Sequence, residues 1–196
     1  FLIKHFKSSK MNKISKFFYN KSSFIIASLA TIVFLAYLIN VLDPKSAPFE
    51  IIDEMPKSLG TMFGFGETEI LIYLSIRTNE MIQSYINFNL IWDSLFGVLY
   101  GTMYTLWLSY LYRPFHNKLR SINLLPFAQV LFDWIENLNL ALISNNYLKT
   151  ETIQPLYSQF ASYSNIIKWI ISLLVILLII IGLVLSIMGF IKKKLV

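Results

Sequence analysis

The chain has 196 residues, of which 56% are hydrophobic, 16% aromatic and only 14% charged, with a mean hydropathy of +0.58 and a net charge of +6. A soluble domain carries about 25% charged residues; this much apolar surface cannot be hidden in one small core, so the composition points to an integral membrane protein. The lack of cysteine excludes disulfides, thiolate nucleophiles, cysteine-held Fe–S clusters and Cys-based zinc sites, and the positions of His5 and His116, outside the apolar segments, exclude His-ligated haem or a Glu-x-x-His di-iron site within a bundle.

Residues 1–22 form a basic N-terminal arm with six lysines, His5, four serines, several aromatics and no acid. It resembles a targeting segment in part, but its simplest role is a basic flank that holds the first helix in place. Met11 offers an alternative start, which would leave residues 1–10 outside the mature protein. A single transmembrane domain is expected over 23–191, followed by a basic tail at 192–196.

Span one is predicted at about 23–42, a length of ~30 Å at the helical rise, with Asp43-Pro44 ending it. Residues 43–88 are polar and hold seven acids, with Gly60, Gly64 and Gly66 as breakers. Ile70, Leu71, Leu74, Met81, Ile82 and Tyr85 then recur at mostly helical spacing after a Thr68 cap, interrupted by Arg77. They predict an amphipathic helix on the membrane surface or docked on the spans. Span two, about 89–111, carries Asp93 and the pair Gly97 and Gly101, whose spacing lets helices approach closely. A basic turn over 112–121 contains Pro114. Span three, about 122–144, is the most polar span. A polar loop follows over 145–165, and span four, about 166–191, ends in Lys192, Lys193 and Lys194.

The expected fold is therefore all-α: a membrane-embedded four-helix bundle with an additional interfacial amphipathic helix between spans one and two. The arm, the turn and the tail hold twelve of the 17 basic residues and no acid, whereas eight acids lie on the other side. The positive-inside rule then sets both termini on the cytoplasmic or matrix side. Lys13, Lys16, Arg113, Lys118, Arg120, Lys192, Lys193 and Lys194 are expected to contact anionic phospholipid such as cardiolipin.

A charge at the bilayer centre costs about 2.5–3.5 kcal/mol, so ionisable groups within spans should face inward and find partners. Asp93, Asp133, Glu136, Asn137 and Lys168 are expected to form such an intramembrane polar cluster in the outer half of the bundle. It serves either as a clasp that fixes helix register or as a lipid-headgroup, ion or proton site.

Several of these residues also resemble a family of four-span membrane proteins known mainly from bacterial genomes. Its pattern is matched by Glu69, Tyr85, Leu90-Ile91-Trp92-Asp93 and Leu99-Tyr100-Gly101, then by Pro126 with Phe132-Asp133-Trp134-Ile135-Glu136-Asn137, and by Lys168-Trp169. The family's Gly-Glu-x-Gly-Arg turn is replaced by Arg77-Thr78-Asn79-Glu80. The resemblance, over about 66–180, implies the four-span fold and marks the polar positions; the family brings no assigned activity with it.

No catalytic motif, metal-ligand spacing or cofactor site stands out. The expected function is a non-catalytic structural or accessory subunit that packs against other integral membrane subunits, with no nucleic-acid partner. A mitochondrial inner-membrane respiratory-chain assembly is favoured and a bacterial plasma membrane is the alternative. The competing reading is a small transporter or lipid-binding protein that uses the carboxylate–lysine cluster.

Overall fold

In the structure, a computed structural model, residues 13–52, 56–115 and 121–194 are described, with side chains as far as Met188. These residues are overwhelmingly helical and include no strand. Helix α1 covers 13–21. Helix α2, Phe24–Tyr37, starts where the Ser23 hydroxyl accepts from the Ile26 N–H at 3.2 Å, which satisfies one of the free donors of a helix start.

The first long helix does not stop at Asp43-Pro44. It passes through a π turn, Leu38–Leu42, into α3, Asp43–Ser46, and a 3-10 turn, Ala47–Phe49. The Asp43 N–H reaches back to Leu38 O. A regular helix would drive the Pro44 ring into the preceding turn. The wider turn just before it opens the space, so the proline redirects the helix instead of ending it.

The expected amphipathic surface helix is two helices. Helix α4, Glu67–Ser75, is capped by Gly66 and Glu69, whose carboxylate accepts from the Gly66 N–H at 2.8 Å; Thr68 is not the cap. Helix α5, Asn79–Asn87, starts at Thr78. The break falls at Arg77, which is buried. Its guanidinium donates to Phe49 O at 2.9 Å and Tyr73 O at 2.5 Å and stacks 3.4 Å from the Tyr73 ring centre. Burial pushes the Tyr73 phenol well above its usual range, so it stays a neutral donor to Lys57 O at 3.0 Å.

Helix α5 does not lie alone on a surface. It continues through a π turn, Phe88–Asp93, into α6, Ser94–Leu111, and its apolar face packs on the helix α7, Leu125–Thr150. Pro126 sits in the first turn of α7, where a missing N–H costs nothing. The expected polar loop over 145–165 shrinks to 151–154. Glu151, at φ 54°, closes α7, and α8, Pro155–Lys194, follows directly.

The short 151–154 link makes α7 and α8 an antiparallel hairpin, the most extensive helix pair in the fold. Helix α6 packs on α2, α7 and α8, whereas α2 rests mainly on α6. There are two apolar cores. One gathers Phe49, Leu59, Tyr73, Ile82, Tyr85 and Phe88 with Leu140, Ile143 and Ala161 into a cap at the acidic end. The other joins Tyr19 of α1 to Leu108, Leu111, Tyr112 and Val175 at the opposite end. Among the described residues, two helices are long and apolar enough to cross a bilayer: Phe24–Phe49, with mean hydropathy 2.4, and Pro155–Met188, with 3.4. Only 11% and 17% of their most apolar windows are buried, unlike the central helix of a soluble core.

Gly97 and Gly101 both face α7. A Cβ on Gly101 would lie 2.4 Å from Val130 Cγ2, closer than any real contact. Gly101→Ala is therefore expected to push α6 off α7 and destabilise the fold by about 1–3 kcal/mol. Thermal unfolding in detergent checks this, and adding Val130→Ala should recover most of the loss.

Candidate functional site

The site is assembled where α7 and α8 pass under the acidic cap. Asp133, Glu136 and Asn137 lie on the inner face of α7 and are buried, as are Asn165 and Lys168 on α8. Lys168 Nζ is 2.6 Å from Glu136 Oε2 and 3.2 Å from Asp133 Oδ1. Two carboxylates from consecutive turns thus share one ammonium. The long lysine stem runs along apolar surface while its head reaches them.

Residue Asn165 completes this arrangement. Its Nδ2 donates to Glu136 Oε1 at 2.9 Å and to Gly60 O at 3.2 Å, and its Oδ1 accepts from the Gly64 N–H at 2.8 Å. Lys168 Nζ also reaches Gly60 O at 3.3 Å. The glycine-rich segment of the acidic loop therefore descends onto the cluster and seals it. Gly60 must be small, because an added Cβ would sit 3.1 Å from Glu136 Oε1. Gly64 has φ +77°, a left-handed conformation that side chains rarely adopt, and its position presses on Ile166.

Asp93 stands at the end of the π turn that opens α6. It is half-buried and beside the Asn137 amide, with no cation within ion-pair distance among the described residues. Gly97, one turn on, lets Asp133 approach α6: an added Cβ would meet Asp133 Oδ2 at 2.9 Å. All five residues expected in the cluster are thus brought together. Among the described residues, Asp, Glu and His side chains form no metal-holding group of three or more.

A partly open cavity of about 410 Å³ adjoins the cluster. Asp93, Asp133, Lys168, Gln129 and Tyr100 line it from the cluster, Asp43, Glu50 and Lys57 add charged groups from the acidic segment, and Phe34, Leu38, Phe96 and Trp169 contribute apolar wall. Asp133 Oδ2, Gln129 Oε1 and the Tyr100 hydroxyl are buried there without a hydrogen-bond partner.

The expected lipid contacts divide. Lys13 and Lys16 are exposed on α1. Arg113 turns back instead: it donates from Nε to Tyr19 O at 3.0 Å and from Nη2 to Ser22 O, so it holds the carbonyl end of α1. Lys118 and Arg120 lie outside the described residues, as do the side chains of Lys192, Lys193 and Lys194.

Asn165 and Gly60 escaped the sequence reading. A signal for Asn165 existed: Ser158, Asn165, Lys168 and Ser172 recur at helical spacing, all of them buried, and mark a polar face that crosses the expected loop boundary. Nothing local in the sequence marks Gly60. No protein-family model, curated protein or solved structure matches the chain.

Removing one partner of a buried ion pair leaves the other uncompensated, at a cost of about 3–5 kcal/mol. Lys168→Met is expected to lose that much in thermal unfolding experiments. The triple change Lys168→Met, Asp133→Asn, Glu136→Gln should lose less than Lys168→Met alone. A Lys168→Met protein as stable as the parent would show that the ammonium does not hold the helices.

Proposed function

We propose that the chain is a four-span integral membrane protein, related to the four-span family it resembles, and acts as a non-catalytic accessory subunit of a larger membrane assembly. The observation that carries the reading is an inverted polarity. On α7 the buried face holds Gln129, Asp133, Glu136 and Asn137, whereas Leu131, Trp134, Leu138 and Leu142 are exposed. On α6, Tyr100, Thr105 and Ser109 are buried while Leu95 and Val98 are exposed. Soluble helices show the opposite arrangement. Apolar outward faces suit lipid or other membrane subunits, and intramembrane polar groups face inward.

Lengths agree with four spans. Helix α6 has 18 residues and α7 has 26, which correspond to about 27 and 39 Å. The exposed aliphatic faces of α2 and α8 offer broad packing surface to neighbouring subunits, and the basic ends suit anionic lipid. In this arrangement both termini share the cytoplasmic or matrix side and the cap stands on the other. The mitochondrial inner membrane is favoured over a bacterial plasma membrane. The lipid-binding alternative is favoured by one observation, the half-polar cavity.

The absence of native cysteine makes topology directly measurable. In membrane vesicles, cysteine introduced by Lys21→Cys is expected to react with an impermeant maleimide from one side, and Lys149→Cys only from the other. Labelling of both from the same side overturns the four-span arrangement. For the accessory role, native purification in mild detergent should retain stoichiometric membrane partners. A monomer that travels alone would leave the subunit reading without support.

A further inference from the structure

We propose that the cavity beside the cluster binds an amphiphile with an amine-bearing head. The ammonium would sit among Asp93, Asp133, Gln129 and Tyr100, and the chain would run along Phe34, Leu38 and Phe96. This rests on the membrane-spanning reading and names what the same cluster binds.

Acceptors outnumber donors beside the cluster. Three carboxyl groups, Asp93, Asp133 and Glu136, surround one ammonium, Lys168. Lys168 and Asn165 are taken up by Glu136, Asp133 Oδ1 and Gly60 O. What is left over at the cavity wall is Asp133 Oδ2 and Gln129 Oε1, with the Tyr100 hydroxyl, a single O–H donor, beside Asp133. These three residues are 3%, 6% and 6% exposed. Buried acceptors without donors are costly, so the occupant that fits must bring N–H donors. It must also bring positive charge. An anionic head would add acceptors where acceptors already exceed donors. A quaternary ammonium supplies charge but no donor. A primary ammonium supplies both, and the aromatic rings of Phe96, Tyr100 and Trp169 on the cavity wall are compatible with a cation.

Along the helices, Asp93 lies about 30 Å from Arg113, and Lys168 about 36 Å from Lys192. Each distance is roughly one hydrocarbon thickness. If the basic ends mark one boundary, the cluster stands at the other, at headgroup level and under the acidic cap.

The cavity is within the size range of small-molecule sites, and its lining combines an apolar stretch with polar residues of the cluster and of the acidic loop, among them Asp43, Glu50 and Lys57. Its walls include residues of α2 and α8, a pair that lacks the contact each makes with α6, and the cavity is partly open.

A lipid ethanolamine head and a free long-chain amine share this chemistry. The experiment is native mass spectrometry of the whole chain in mild detergent. It is titrated with phosphatidylethanolamine, phosphatidylcholine and phosphatidylglycerol of identical chains, and separately with dodecylamine. The expected result is one saturable adduct, with an amine-headed probe bound at least about tenfold tighter than phosphatidylcholine or phosphatidylglycerol. Asp133→Asn and Asp93→Asn should each remove most of that preference. Asp93 belongs to no ion pair of the clasp, so its variant tests the site even if Asp133→Asn fails to fold. Preference for phosphatidylethanolamine assigns a lipid source; binding of dodecylamine alone assigns a free amine. Equal occupancy by the three phospholipids with no dodecylamine adduct overturns the proposal, as does a preference untouched by Asp93→Asn. The cysteine-labelling result is independent, so a correctly oriented protein without a selective adduct would sink the ligand and leave the topology standing.

Discussion

The placement of Lys168 governs much of the remaining structure. One ammonium is taken out of water to stand between two carboxylates on successive turns of α7. A buried ion pair of this kind contributes little net stability unless its remaining donors and acceptors are met. Here an amide on the same helix, Asn165, and a backbone carbonyl from a distant loop, Gly60 O, meet part of them, on the Glu136 and Lys168 side. The consequence is registry. Helix α8 cannot slide or rotate against α7 without parting the ammonium from both carboxylates. The loop cannot lift without exposing the lysine and the Asn165 amide. A polar contact with many partners is thus a strong specifier of one arrangement, even where its energy is modest.

The same contact joins the two ends of the molecule. Above it, Phe49, Tyr73, Tyr85 and Phe88 pack with the far ends of α7 and α8 into a conventional apolar core. Arg77 ties the segment after α2 to α4 by donating to Phe49 O and Tyr73 O. Below it, Tyr19 and Arg113 bind α1 to the end of α6, and the Tyr112 hydroxyl donates to Leu178 O across to α8. Between these apolar regions the interior of the bundle is polar, and its outward faces are apolar. A fold that reverses the usual polarity only in its middle third is consistent with a chain whose middle third is solvated by lipid.

Much of the helical content was legible because long apolar periods and their breakers are local properties. The cluster residues were legible for a different reason: ionisable groups in apolar segments are conspicuous. What the sequence hid was context. Asp43-Pro44 reads as a stop signal, yet a π turn upstream absorbs the proline. Arg77 reads as an interruption within one helix, yet buried carbonyls from two segments make it the joint between two. The segment 145–165 reads as a loop by hydropathy, yet all of it but 151–154 is helical, and Ser158, Ser164 and Asn165 there are buried. In each case the deciding partner is far away in the chain.

The glycines of the acidic loop show how the cap and the cluster constrain each other. Gly60 and Gly64 let backbone, not side chain, meet the buried polar groups, so the loop supplies a carbonyl and an N–H without adding bulk. That design gives the Lys168 ammonium and the Asn165 amide N–H an acceptor in Gly60 O, gives Asn165 Oδ1 a donor in the Gly64 N–H, and leaves the flank toward α2 open. Asp93, Asp133 Oδ2 and Gln129 Oε1 all lie on that open flank. A cluster built only to lock helix register would gain by closing the flank as tightly as the roof, since every acceptor left without a donor costs free energy. The backbone groups of the loop thus hold the cluster from one side, while Asp93, Asp133 Oδ2 and Gln129 Oε1 face the cavity on the other.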